Sequence, residues 1–125
     1  MSAANPAPGF AKYPDHKITL EPLGKPVSVS VDGVSLARSD DAILMREGTY
    51  TPVVYIPFSG IEFGKLARTE TSTHCPFKGD ASYWRISGGS AGPDIMWSYE
   101  NPYDDMAEIQ GYGAFYGDRV TIEVG

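Results

Sequence analysis

Valine and serine alternate from Val27 to Val31, and the pair Asp32-Gly33 follows at once. A repeat of period two puts the three valines on one face, as a strand with one buried side requires. Asp-Gly is the dipeptide that best accepts the positive φ angles of a two-residue hairpin turn, and Val34-Ser35-Leu36-Ala37 supplies the returning strand. This stretch commits its part of the chain to antiparallel β-structure.

The same grammar runs through most of the body. After the polar corner Arg38-Ser39-Asp40-Asp41, Ile43-Leu44-Met45 continues the β pattern. Pro52-Val53-Val54-Tyr55-Ile56 is nearly all apolar and bounded by prolines, which suits a strand buried on both faces. Two aromatic strands follow, Ala81-Ser82-Tyr83-Trp84-Arg85-Ile86 and Ile95-Met96-Trp97-Ser98-Tyr99, separated by a Gly-rich loop from Gly88 to Pro93. A second hairpin is expected where Tyr112–Tyr116 turns at Gly117-Asp118 into Val120–Val124. With 14 glycines and 10 prolines in 125 residues, turns are frequent and long helices are not expected.

One helix start stands out. In Ser59-Gly60-Ile61-Glu62, serine is followed three residues later by glutamate, the pattern of a capping box, and predicts a helix of at most two turns. Asp104 to Ile109 predicts one further helical turn. From Arg68 to His74 neither alternating face is apolar, which fits an edge strand, an exposed connection or a pocket wall. Residues 1–15, rich in Ala and Pro, read as a mobile or loosely docked arm that Phe10 and Tyr13 pin to the body or to a second subunit. The expectation is a mainly β chain: one compact antiparallel domain over residues 16–125, a small barrel or two packed sheets, with one short helix.

Charge and cysteine content exclude several functions. A net charge of −6 and the lack of any Lys/Arg cluster argue against nucleic acid and against anionic membrane surfaces. A single cysteine rules out an intrachain disulfide, and with only His16 and His74 beside it a Cys/His zinc site lacks ligands. No metal and no cofactor are expected. The N-terminus has neither a basic segment nor an apolar one, so no signal peptide is read there, and no apolar run approaches the roughly 18 residues of a membrane span. A cytoplasmic, reducing setting is the natural expectation.

The cysteine lies in the densest chemical motif of the chain, Thr73-His74-Cys75-Pro76-Phe77-Lys78-Gly79. A reactive thiolate needs a nearby cation, and Lys78 is placed to fold back across the turn, whereas His74 as a strand neighbour points the other way. Cys75 and Lys78 are therefore the candidate catalytic residues, weighed against a packed cysteine and a solvated lysine. Pro76 and Gly79 have a simpler explanation: proline ends a strand, and glycine permits a positive φ or a close approach. Tyr55, Tyr83, Trp97 and Tyr99 are candidate ligand-stacking residues, Lys78 a charge for an anion, and Glu100 a hydrogen-bond acceptor or partner of Lys78.

Four blocks carry a family resemblance: Pro52–Pro57; Cys75-Pro76-Phe77-Lys78-Gly79 with Ala81 and Tyr83; Trp97-Ser98-Tyr99-Glu100-Asn101-Pro102; and Ile109-Gln110-Gly111-Tyr112 with Ala114-Phe115-Tyr116. In this order they resemble the domain-of-unknown-function 427 family, from about Pro26 to Val124. The resemblance implies a compact bacterial-type β domain of tent or barrel shape. After Pro57 similar proteins carry charged, often acidic residues, where this chain has Phe58-Ser59-Gly60. The family also carries a nucleotidyltransferase-like label. Gly88-Gly89-Ser90 and the adjacent acids Asp104-Asp105 are the residues that invite it. Carboxylates that share a metal from one strand face must alternate, however, and no phosphate-binding loop opens onto a helix. A Ser-His-Asp triad lacks a nucleophile elbow.

Three functions follow. The first is a small ligand, anionic by preference, bound in an aromatic pocket near Cys75–Lys78. A non-enzymatic module that dimerises through an edge strand and the arm is the second, and a thiol-dependent enzyme using Cys75 is the third.

Overall fold

The computed structural model describes residues 4–87 and 92–125. Ten strands form two antiparallel sheets. The larger has the order β1-β4-β5-β9-β8-β7-β6, built from Ile18–Pro22, Ile43–Glu47, Val53–Pro57, Tyr112–Phe115, Met96–Ser98, Gly79–Ile86 and Leu66–Cys75. The smaller has the order β10-β2-β3, from Thr121–Val124, Val27–Val31 and Val34–Ser39. Neither sheet closes into a barrel, so two packed sheets is the arrangement the chain adopts.

The β2–β3 hairpin forms where Asp32-Gly33 requires it, with both residues at positive φ (49° and 79°). The second expected hairpin does not form. β9 pairs with β5 and β8 in the large sheet, whereas β10 pairs with β2 in the small one. The Gly117-Asp118 turn therefore carries the chain from one sheet to the other. Burial explains the switch: β9 has large-sheet partners on both sides, and the apolar side of β2 already belongs to the intersheet core.

Alternation along the central strands produces two cores. Val54 and Ile56 of β5, Trp84 of β7, Met96 of β8 and Phe115 of β9 face Val27, Val29, Leu36 and Ala37 of the small sheet. Leu36 and Met96 are completely buried there, and truncating either to alanine removes about 2–5 kcal/mol. Val53, Tyr55, Ala81, Tyr83, Trp97 and Ala114 turn to the opposite face, where Met45, Tyr99, Met106 and Ile109 complete the second core.

The helix expected at Ser59 is absent. Two short 3-10 turns, Phe58–Gly60 and Phe63–Lys65, flank Ile61, which forms a bridge with Ala37 and is buried between the sheets. The Glu62 amide donates to the Leu36 carbonyl and its carboxylate takes Lys65, so Glu62 does not close a capping box. The one α-helix among the described residues, α1 (Pro8–Lys12), lies in the N-terminal arm. Asp104–Ile109 makes the expected turn as kinked 3-10 structure. β6 is an edge strand, as its polar pattern predicts. No helix among the described residues is long and apolar enough to cross a membrane. Gly88-Gly89-Ser90, one part of the nucleotidyltransferase argument, lies outside the described residues.

Candidate functional site

Cys75 and Gly79 are paired at the end of the β6–β7 hairpin, and Pro76-Phe77-Lys78 is its loop, closed by the Lys78 amide on the Cys75 carbonyl (3.2 Å). Gly79 has φ +118°, and a β-carbon there would lie 3.3 Å from the Asn101 carbonyl oxygen. Both reasons for a glycine, conformation and close approach, apply at this one position.

The side chain of Lys78 turns inward. Its ammonium donates to Oε1 of Glu47 at 2.5 Å, and Oε2 of Glu47 meets Nε2 of His16 at 2.8 Å. Three residues from three places, the end of β4, the entry to β1 and the β6–β7 loop, thus join in one chain of charge. Side-chain exposure is 12% for Lys78, 17% for Glu47 and 24% for His16. Burial by itself would raise the Glu47 carboxyl, but hydrogen bonds from Lys78 and His16 outweigh it and hold the group below its ordinary 4.5. The Lys78 ammonium also lies 6.0 Å from the centre of the Tyr99 ring, at the outer limit of a cation–π contact.

The arm closes over this turn. The Gly9 amide donates to the Pro76 carbonyl (2.9 Å), and Phe10 meets Phe77 edge-on with centroids 5.0 Å apart. His16 also stacks on Phe77, with ring centroids 4.2 Å apart and planes at 28°. Further along the arm, the Asn5 and Ala7 amides donate to the carboxylates of Asp104 and Asp105 at 2.6 and 2.9 Å. The adjacent acids are thus employed in holding the backbone of the arm. Between arm and loop opens a cleft of about 520 Å³ lined by Lys12, Tyr13, Pro14, Asp15, His16 and Phe77.

The expected ligand residues separate into three groups. Tyr55, Tyr83 and Tyr99 lie with Cys75 in the second core, at 1%, 9% and 8% exposure for the tyrosines. They fill space there, and burial pushes the hydroxyls of Tyr55 and Tyr99 well above their usual 10. Tyr83 shares a hydrogen bond with Thr73 (2.7 Å), and Tyr55 accepts one from the Trp97 indole (3.3 Å). Trp97 itself reaches a separate groove, with its ring 4.7 Å from that of Tyr116.

Glu100 does not join Lys78. Its carboxylate pairs with Arg68 at 2.7 Å, and Ser82 and Arg68 outweigh its burial to lower its pKa. Arg68 stands over Trp84, whose side chain belongs to the intersheet core, so Glu100 serves the opposite side of the sheet from Tyr83. His74 pairs across the strands with Asp80 (2.7 Å), away from the thiol. Cys75 is half-buried, and the cation expected to activate it is taken by Glu47.

Glu47, His16 and Phe77 are the residues that sequence reasoning missed. Ile18 is in register with Glu47, so it is the β1–β4 pairing that brings His16 and Glu47 together. Nothing local marks a pairing between segments so far apart in the chain.

In comparison with known proteins, no curated relative matches the chain. One family model, described as a domain of unknown function (DUF427), matches residues 19–125, a span that runs from the second residue of β1 through β10 and takes in Glu47 and Lys78 but not His16. The chain belongs to the DUF427 family.

Proposed function

We propose that this domain binds a small planar ligand in the cleft between the N-terminal arm and the Cys75–Lys78 turn. The ligand stacks on His16 and Phe77 and exchanges hydrogen bonds with the His16–Glu47–Lys78 chain behind them. One observation carries the reading: three titratable side chains from separate elements converge, mostly buried, beside a cleft of about 520 Å³. A buried ion pair adds little net stability relative to apolar packing, because desolvation cancels most of its attraction. Linked charges gathered at a cleft are better accounted for by a site than by the needs of the fold.

Lys78 is neutralised by Glu47, which removes the reason to prefer an anion. The ligand class favoured here is a planar heteroaromatic of low net charge. In the neutral imidazole the proton sits on Nε2 toward Glu47, leaving Nδ1 as an acceptor for a ligand N–H.

A panel of heteroaromatic amides, amines and acids, screened by thermal shift and then by NMR, tests the reading. Binders are expected to move the ring signals of His16 and Phe77 and to lose at least tenfold in affinity in His16→Asn. Binders that leave both rings unmoved, or a panel without binders at millimolar concentration, would refute it.

A further inference from the structure

A second concavity lies where β5, β8, β9 and β10 meet, apart from the arm and its charged chain. It holds about 340 Å³, and Pro52, Val53, Trp97, Phe115, Tyr116 and Ile122 are among its walls. Trp97 and Tyr116 are both partly exposed, and their rings stand 4.7 Å apart at 51°. Over the Tyr116 ring lies the guanidinium of Arg119, its centre 4.4 Å from the ring centroid. One of its N–H groups donates to the Asp94 carbonyl at 2.5 Å, which fixes the plane of the fork. Among the described residues Arg119 forms no salt bridge, although the chain carries an excess of six negative charges.

We infer that this groove is a binding site for a small aromatic carboxylate. An apolar ring fits between Val53 and the Trp97–Tyr116 pair, where stacking and burial supply the affinity. A guanidinium already stacked and held by a carbonyl has lost its rotational freedom beforehand, so little more is lost when it grips a carboxylate through two parallel hydrogen bonds. Charge complementarity chooses the anion. Arg119, exposed like its sequence neighbours Asp118 and Glu123, is stacked on Tyr116, which is one wall of the apolar groove, and no carboxylate pairs with it among the described residues. The inference is independent of the proposal for the arm cleft, since the two share no lining residue.

The test uses 2-naphthoate and its uncharged analogue 2-naphthamide, titrated by calorimetry and followed by the indole N–H signal of Trp97. Naphthoate is expected to shift that signal and to bind at least tenfold more tightly than naphthamide, with affinity falling as salt rises. Arg119→Gln should erase the preference for the acid without changing the melting temperature, and Arg119→Lys should retain part of it. Equal binding of acid and amide, or a preference that survives Arg119→Gln, would overturn the inference. So would no binding at millimolar naphthoate, or shifts confined to His16 and Phe77, which would place the probe in the other cleft.

Discussion

Gly9 faces the ring of Phe77 so closely that a β-carbon on it would come within 2.7 Å of the ring and 2.9 Å of the Pro76 carbonyl oxygen. In an exposed helix the change Gly9→Ala would stabilise, by up to about 1 kcal/mol. Here the arm must shift or the aromatic ring must move, and overpacking costs about 1–3 kcal/mol. The expected result is a lower melting temperature, or at minimum amide exchange at Asn5 and Ala7 that is tenfold faster, because their bonds to Asp104 and Asp105 depend on the docked arm. A Gly9→Ala protein as stable as the parent, with those amides still protected, would show that the arm is not seated on Phe77.

The Lys78–Glu47 pair alters what a lysine substitution tests. A solvated lysine would be replaced without thermal consequence, but this one is 12% exposed and holds a carboxylate that is 17% exposed. Removing one partner strands the other in a desolvated place. Lys78→Met is expected to cost about 1–3 kcal/mol, short of the full penalty for a completely enclosed pair. Glu47→Leu combined with Lys78→Met should cost less than the two single changes added together, since neither charge is then left alone. Urea denaturation of the four proteins measures this, and strict additivity would mean that the pair is not coupled.

Acid unfolding should report the same group. The folded protein holds Glu47 below 4.5, so it binds that proton less tightly than the unfolded chain does. The resulting stabilisation is complete at pH well above 4.5 and is lost as pH falls through the folded-state value. Glu47→Gln should therefore destabilise most at pH 7, and its penalty should shrink towards pH 3. Glu100, also lowered but more exposed through its pairing with Arg68, should show a weaker form of this dependence. A penalty for Glu47→Gln that stays constant from pH 7 to pH 3 would contradict the assignment.

At the alkaline end the sign reverses. Burial keeps Tyr55 and Tyr99 protonated above their usual 10, so the fold binds these protons more tightly than the unfolded chain. Their contribution is present below pH 10 and is lost as pH rises beyond it. Absorbance at 295 nm should show both phenols silent at pH 11 in the folded protein, with their ionisation coinciding with unfolding. Tyr55→Phe should soften the alkaline loss of stability; ionisation of all tyrosines near 10 with the fold intact would disprove the burial argument.

How much of this was legible follows from the range of each interaction. Val27 to Ala37 folds as written, because alternation and an Asp-Gly turn act within one hairpin. The division of Val53, Tyr55 and Tyr83 from Val54, Ile56 and Trp84 also follows from period two. What escaped is the pairing of distant segments. Tyr112–Tyr116 and Val120–Val124 look like hairpin partners until the sheet order shows them in different sheets, and Ser59-Glu62 looks like a capping box until Leu36 and Lys65 claim Glu62. The site suffered most. Lys78 was visible in its motif, but Glu47 and His16 reach it only through the β1–β4–β5 order, which no local pattern encodes. Trp97, expected beside Lys78, stands against Tyr116 instead.

The edge of the large sheet offers the last test, and it bears on self-association. β6 pairs Arg68 with Trp84 and Ser72 with Ser82, so the segment Thr69-Glu70-Thr71 stands against Tyr83 alone. A bulge of this kind bends the strand and breaks the row of amides and carbonyls that another chain would need for strand addition. It argues against dimerisation through β6, although the strand is long and has no neighbour on its outer side among the described residues. Deleting Glu70 and Thr71 would restore a continuous register between Arg68 and Ser72. The shortened protein is expected to keep its fold, since the exposed bulge buries little, and to gain concentration-dependent dimers in sedimentation velocity at tens of micromolar, where the parent stays at a lower weight-average coefficient. A deletion variant that folds and sediments as the parent does at every concentration would show that the bulge is not what protects this edge.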